Sequence, residues 1–147
     1  MKVYLDLCCF NRPFDDQSQL LVRLQTEAKL AIQELIRTHD HTLIWSAILD
    51  LENTGNPDPE RQAAICEWKR LSEIDLATTE VVEHIATTLA SLGVKPMDAL
   101  HLASAIEAGA DCFLTTDKQI LRKMKSNMQI QVLDPVDFIR KIEATLE

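Results

Sequence analysis

The sequence predicts an α/β fold: a mostly parallel central sheet of about four to five strands with helices packed on both faces. Three observations carry that expectation. Short, β-rich apolar runs alternate with longer segments of helical periodicity. Serine, threonine, aspartate and proline stand where the segments change over, in the positions of helix caps and helix openers. Several acids fall where a strand hands over to a helix.

In chain order, Lys2–Leu7 reads as a buried strand. Gln17–Arg37 places Leu20, Leu21, Leu24, Ala28, Ala31, Ile32, Leu35 and Ile36 at helical spacing, so a long amphipathic helix is expected there. His39-Asp40-His41 is a polar break. Thr42–Trp45 is a second strand, and Ser46 caps a helix through about Asn53. Gly55-Asn56-Pro57-Asp58-Pro59 is the clearest loop signal, with Asp58 capping and Pro59 opening a helix through about Leu71. Ile74–Leu76 is a short strand, and Thr78 or Thr79 caps a helix to Leu92 that Gly93 ends. Pro96 opens the next helix, which runs to about Ala108 with Gly109 past its end. Cys112–Thr116 is a strand, Asp117 caps Lys118–Lys125, Ile130–Leu133 is the last strand, and Asp134-Pro135 opens a final helix to the C-terminus. One domain over residues 1–147 accommodates all of this, without repeats or a long linker.

Composition narrows the function classes. Apolar residues make up 46% and charged residues 26%, an ordinary globular balance. No apolar run reaches the roughly 20 residues a membrane helix needs. An aspartate interrupts the first apolar stretch, Met1-Lys2-Val3-Tyr4-Leu5-Asp6, so it lacks the shape of a signal peptide and a cytoplasmic location is expected. Cys8, Cys9, Cys66 and Cys112 offer no CxxC pair, which argues against a zinc ribbon or a disulfide framework and for reduced thiols used as small apolar fillers. The net charge of −8 runs against tight nonspecific binding to nucleic acid.

The acids carry the chemistry. Asp6 ends the first strand, Asp117 ends the fourth, Asp98 lies in the first turn after Pro96, and Glu52 follows the second strand six positions past Ser46. Parallel sheets of this kind bring the carboxyl ends of their strands to one edge, where ligands bind. Singly, Asp98 and Asp117 suit helix capping, and Glu52 suits a solvated helix face. Asp6 does not: an acid closing an apolar core strand is costly unless compensated. Gathered carboxylates call for a hard divalent cation, and Mg²⁺ or Mn²⁺ with oxygen ligands is the natural one. Asp50, two residues before Glu52, reads as surface.

These residues also stand in the pattern of a known family. Val3-Tyr4-Leu5-Asp6, Ser46-Ala47-Ile48-Leu49-Asp50-Leu51-Glu52, Asp98-Ala99-Leu100-His101-Leu102-Ala103-Ser104-Ala105 and Gly109-Ala110-Asp111-Cys112-Phe113-Leu114-Thr115-Thr116-Asp117 resemble, in order and spacing, the acid blocks of PIN domains. The stretch from Cys8 to Gln17 looks like a subgroup of small stand-alone bacterial PIN proteins, similar to VapC-type toxin ribonucleases. The resemblance implies a three-layer α/β/α sandwich. It implies a metal-dependent (endo)ribonuclease in which Asp6, Glu52, Asp98 and Asp117 hold the metal and water activated there hydrolyses the phosphodiester, leaving a 5′-phosphate. It implies, too, a toxin–antitoxin role with an antitoxin protein as partner and a homodimeric state. Thr115, two before the last acid, matches the family's hydroxyl residue and could hold that acid or a metal water. Leu7 departs from the family's usual small polar residue or asparagine after the first acid, which predicts weaker support for Asp6.

On the substrate side the candidates are Arg12 and Asn11, from a constrained Asn11-Arg12-Pro13 turn near Asp6, with Thr115 and Lys118. Arg122 and Lys123 read equally well as a solvated helix face. His101, three after Asp98, is expected inside and hydrogen-bonded, and Trp45 and Trp68 are expected in the core. The competing reading is a catalytically weak PIN-like module that binds RNA or protein. A phosphoacceptor signalling domain fits poorly, because the first strand ends in a lone acid and Leu133-Asp134-Pro135 supplies no lysine.

Overall fold

The computed structural model describes residues 1–145, so the end of the expected C-terminal helix, residues 146–147, lies outside the described residues. Strand β1 (Lys2–Leu5) leads into a short helix α1 (Leu7–Asn11), a 3₁₀ turn (Arg12–Phe14) and the long helix α2 (Leu20–Arg37). Then follow β2 (Thr42–Ser46), α3 (Ala47–Thr54), α4 (Pro59–Glu67) with a 3₁₀ turn (Trp68–Leu71), and β3 (Ile74–Leu76). The chain continues through α5 (Glu80–Ser91), α6 (Pro96–Glu107), β4 (Cys112–Leu114), α7 (Lys118–Lys123), β5 (Gln131–Leu133) and α8 (Pro135–Ala144).

The five strands form one sheet in the order β3-β2-β1-β4-β5, and every neighbouring pair is parallel. Moving from β1 to β2 to β3 the chain travels one way across the sheet; from β3 to β4 to β5 it travels back. Right-handed crossovers therefore put α2 and α4 on one face and α5, α6 and α7 on the other. α8 returns to pack on α2, and α5 packs along α6. Between β1 and β4 the direction of travel reverses, and that switch point is where such sheets open a crevice at their carboxyl edge.

Strands covered on both faces must be apolar throughout. Val3, Tyr4, Leu5, Leu43, Ile44, Trp45, Cys112, Phe113 and Leu114 fill the three central strands and are all buried. Truncating Phe113 to alanine here would cost about 3–5 kcal/mol. Edge strands β3 and β5 are three residues each and partly exposed, which limits edge-to-edge pairing. Gly93 and Gly109 take positive φ after α5 and α6, as expected of helix-ending glycines, and Val94 and Ala110 close the terminal turns onto Leu89 and Ala105. His39 plays the same part after α2.

Five boundaries differ from expectation by two residues or more; β4 ends at Leu114 rather than Thr116, and α7 at Lys123 rather than Lys125. β1 ends at Leu5, because the Asp6 side chain accepts from the Leu7 N–H (2.8 Å) and starts α1. α2 starts at Leu20, because the Gln17 side chain is spent on the carbonyls of Arg12 and Asp15, closing the turn before it. The helix after Pro59 ends at Glu67 and tightens to 3₁₀ through Leu71. Trp68 is only half-buried, capping the outside of α2 rather than filling the core as Trp45 does.

Candidate metal centre at the carboxyl edge

A cleft of about 420 Å³ opens at the switch point, and Asp6, Glu52, Asp98 and Asp117 all line it. Asp6 comes from the end of β1, Asp117 from the end of β4, Glu52 from α3 and Asp98 from the first turn of α6. One ligand atom each from Asp6, Glu52 and His101 lie within 4.8 Å of one another.

Asp6 is the anchor and is buried. Its N–H continues the β1–β4 ladder by donating to the Leu114 carbonyl (2.9 Å), so its backbone cannot move independently of the sheet. Its Oδ2 accepts from the Thr115 hydroxyl (2.9 Å) and the Cys8 thiol (3.5 Å). Thr115 Oγ1 in turn accepts from the Asp117 N–H (3.1 Å), so one buried hydroxyl ties the first acid to the last. The expectation that Leu7 weakens Asp6 changes in content: Leu7 donates its backbone N–H to the capping Asp6 carboxylate, its side chain goes to the core, and further polar support comes from Thr115 and Cys8. Cys8 is correspondingly more than a filler; it lines the cleft and also accepts from the Thr116 N–H (3.3 Å). All four thiols are free.

Glu52 is held by a buried polar chain. His101, fully buried on α6, meets Glu52 Oε1 through Nε2 (3.1 Å) and the Tyr4 hydroxyl through Nδ1 (2.6 Å). Tyr4 meets Ser46 Oγ (2.7 Å), which also caps α3 by accepting from the Leu49 N–H (3.2 Å). One proton assignment satisfies every link: Ser46 donates to Tyr4, Tyr4 to His101 Nδ1, and a neutral His101 donates from Nε2 to the carboxylate. Sequence reading placed His101 inside but not in this chain, whose members lie on four different elements.

The electrostatics are those of gathered like charge. Burial pushes the Asp6 carboxyl above its ordinary range; His101, Thr115 and Cys8 oppose that, and Glu52 adds to it. Asp98 is also raised, by burial first and then by Asp6 and Asp117. Asp117 spends Oδ1 on the N–H groups of Gln119 and Ile120 (2.8 and 3.2 Å), as a helix cap does, which leaves Oδ2 uncommitted. Among the described residues Asp98 has no ion-pair partner, and Glu52 meets none but His101. The carboxylates of Asp6, Glu52, Asp98 and Asp117, with the His101 imidazole hydrogen-bonded behind Glu52 and no lysine in the lining, form an oxygen donor set for a hard divalent ion.

Among the substrate-side candidates, Asn11 lines the cleft and its Oδ1 accepts from the Asn56 amide (3.4 Å). Thr115 is fully buried and acts on Asp6 and Asp117, so its part is positioning rather than substrate contact. Arg12 is outside the lining, because its guanidinium is drawn to Asp15 (2.8 Å) and Gln25 (2.8 Å). Lys118 is exposed at the start of α7 and is also outside it. The cation in the lining is Arg61, from α4. Arg61 stacks on Phe14, donates to the Phe14 carbonyl (3.0 Å) and lies 3.7 Å from Asp15. Arg61 lies 55 positions from Asp6 in sequence (61 − 6), and no local pattern signals that it reaches the site.

A PIN domain profile matches residues 4–126. Three solved structures share the fold. VapBC2 from Rickettsia felis bound to a promoter DNA fragment matches at TM-score 0.57 and 14% identity, covering 90% of this chain and 97% of that one. DNA-bound VapBC from Salmonella typhimurium matches at 0.57 and 20%, covering 92% and 98%. VapBC-1 from nontypeable Haemophilus influenzae matches at 0.58 and 16%, covering 92% and 98%. A sequence search of curated proteins gave no match.

Proposed function

This chain belongs to the PIN domain family, and from that premise we propose that the acidic cleft is the active site of a Mg²⁺- or Mn²⁺-dependent ribonuclease of the VapC kind. The observation that carries the reading is a set of four carboxylates, Asp6 buried and the other three partly so, with no lysine among them, sited at the switch point of the sheet. Asp6, Glu52, Asp98 and Asp117 are the residues that would hold the ion. When bound, it supplies charge compensation for the acids and a water activated for attack on phosphorus.

The chain's own residues divide the remaining work. Thr115 and Cys8 fix the rotamer of Asp6, and the Ser46-Tyr4-His101 chain fixes Glu52, which is how supporting hydrogen bonds hold metal ligands in place. Arg61 offers its guanidinium to a phosphate oxygen of the RNA, with Asn11 and Asn56 beside it. Arg12 serves at one remove: it holds Asp15 through Oδ2 at 2.8 Å, while the other oxygen of that acid lies 3.7 Å from Arg61. Lys118 acts on RNA beyond the scissile group. Hydrolysis leaves a 5′-phosphate and a 3′-hydroxyl; a cyclic phosphate product would contradict the scheme.

The test is cleavage of a labelled structured RNA by purified protein with Mn²⁺, with Mg²⁺ and with EDTA, beside Asp6→Asn. The reading expects cleavage with metal that disappears in EDTA and in the variant. A folded protein that cleaves under no metal, yet binds RNA or a protein partner, turns the assignment to the binding module. The three solved structures are toxin–antitoxin complexes, and by that analogy a small antitoxin partner belongs to the proposal. Exposed Leu20, Leu21 and Leu24 on α2 support a partner or a second copy at that face. Light scattering checks the homodimer: Leu21→Arg should shift a dimer to monomer, and a wild-type monomer would remove that part.

A further inference from the structure

A second, smaller pocket of about 150 Å³ lies between α1, α2 and α4, and Phe10, Phe14, Lys29, Gln33, Ile65 and Trp68 are among its walls. Its chemistry is the reverse of the cleft's. Lys29 sits on the apolar stripe of α2 between Ala28 and Ile32 and is only 3% exposed. Among the described residues it has no carboxylate partner and no hydrogen-bond acceptor. What it has instead is two aromatic faces: its Nζ lies 5.3 Å from the Phe10 centroid and 5.4 Å from that of Trp68. Burial pushes its ammonium down to about 8, so it remains mostly charged at neutral pH.

One turn further along the same face, the buried Gln33 side chain leaves its N–H group without an acceptor. The pocket thus presents two donor groups, apolar and aromatic walls, and no acidic residue in its lining. Cation–π contacts offset part of the cost of burying an ammonium, but they satisfy none of its three N–H bonds. A group that brings acceptor oxygens and negative charge would satisfy them, and a short apolar tail would fill the space beside Phe10 and Ile65. An apolar cavity of roughly 150 Å³ holds a benzene-sized molecule, which limits the tail.

We propose that this pocket binds a small monocarboxylate with a short apolar body, its carboxylate paired with Lys29. The site is independent of the nuclease reading and stands or falls separately from it.

The probe is butyrate, with butyramide as its neutral counterpart, titrated into ¹⁵N-labelled full-length protein while the Trp68 indole N–H signal is followed. Trp68 is the pocket's own reporter, and the backbone N–H of Phe113, buried in β4, is the internal control. Butyrate shifts the Trp68 signal saturably, with a dissociation constant on the order of millimolar, and leaves the Phe113 signal unmoved, whereas butyramide at the same concentration shifts neither. Lys29→Met, which keeps the stem and removes the charge, weakens the response at least tenfold. Ala64→Leu, which fills the pocket from α4 and leaves Lys29 in place, does the same, so the result does not depend on the tolerance of one variant. No saturable shift, an equal response to butyramide, or binding indifferent to both variants overturns the site and leaves Lys29 as a cation buttressing two rings.

Discussion

Helix α3 carries two acids two residues apart, Asp50 and Glu52, and the protein treats them in opposite ways. Asp50 points back over β2 and β3. It accepts from the Trp45 indole (3.0 Å) and from Lys69 (2.9 Å), and Lys69 also lies 3.7 Å from Asp75. Both acids there share the Lys69 ammonium as counter-charge. Glu52 points to the switch point, where its partner is a fully buried imidazole and its neighbours are other acids. The difference teaches how to read acids in this fold. An acid with a lysine or arginine beside it serves structure; an acid left among acids at a strand's carboxyl edge implies a cation from outside.

The largest effect that would sharpen this contrast is at Asp6. Asp6→Asn keeps the oxygen that caps α1 and removes the charge, so cleavage should fall by more than about 100-fold, beyond the usual loss for supporting residues of a metal site. Single-turnover rates measure it, and activity within a few-fold of wild type would break the distinction. His101→Gln comes next. It severs the chain from Tyr4 to Glu52, and a loss of about 10–100-fold is expected. As a positioning effect it should show as weakened Mn²⁺ affinity together with the lower rate; a lower rate at unchanged metal affinity would mean that His101 acts otherwise.

Arg61→Gln should raise KM for RNA about tenfold and change kcat less, because a lost charged hydrogen bond to phosphate is worth about 1.5–3 kcal/mol before solvent makes up part of it. Arg61→Lys should recover part of that loss. Equal KM values across the three proteins would remove Arg61 from the substrate site. Asp50→Asn probes the other half of the comparison. It should lower stability by no more than about 1 kcal/mol, given half-exposed partners, and leave cleavage within about twofold. A large activity loss with stability intact would place Asp50 in the chemistry.

The smallest expected effect concerns pH. In the folded, metal-free protein the Asp6 carboxyl is raised by burial, so protonation favours the fold. Its contribution is fully present below the unfolded carboxylate range and is lost as pH rises through the higher folded value. In EDTA, the change in Tm as pH rises from about 3.9, the unfolded aspartate value, to about pH 7 should therefore be more unfavourable in wild type than in Asp6→Asn. Identical pH profiles would mean that Asp6 carries no uncompensated charge.

Much of the fold was legible because its signals are local. Ser46, Asp58, Asp117 and Asp134 cap helices where capping residues predict them, and Pro59, Pro96 and Pro135 open helices as first-turn prolines do. The central strands are apolar without interruption. Helix α1 was not legible, since five residues are too few for a helical period and its leucine and cysteines continue the apolar run of β1. At the site, the four acids could be placed at one edge from their strand and helix ends alone. The Ser46-Tyr4-His101-Glu52 chain could not, because its hydrogen bonds join residues up to 97 positions apart. The exchange of Arg12 for Arg61 in the lining has the same cause. Arg12 is close to Asp6 in sequence, but Asp15 and Gln25 are closer to it in space, and only the packing of α4 brings Arg61 to the cleft.

The central claim is that the uncompensated acids, and not the paired ones, take up a divalent cation. Its most direct test is Mn²⁺ binding followed by electron paramagnetic resonance on the wild type, Asp6→Asn, Glu52→Gln and Asp50→Asn, without RNA. The account predicts saturable binding in the wild type and in Asp50→Asn, and binding lost or weakened at least tenfold in Asp6→Asn and Glu52→Gln. Binding that is unchanged in Asp6→Asn, or absent from the wild type, would contradict it.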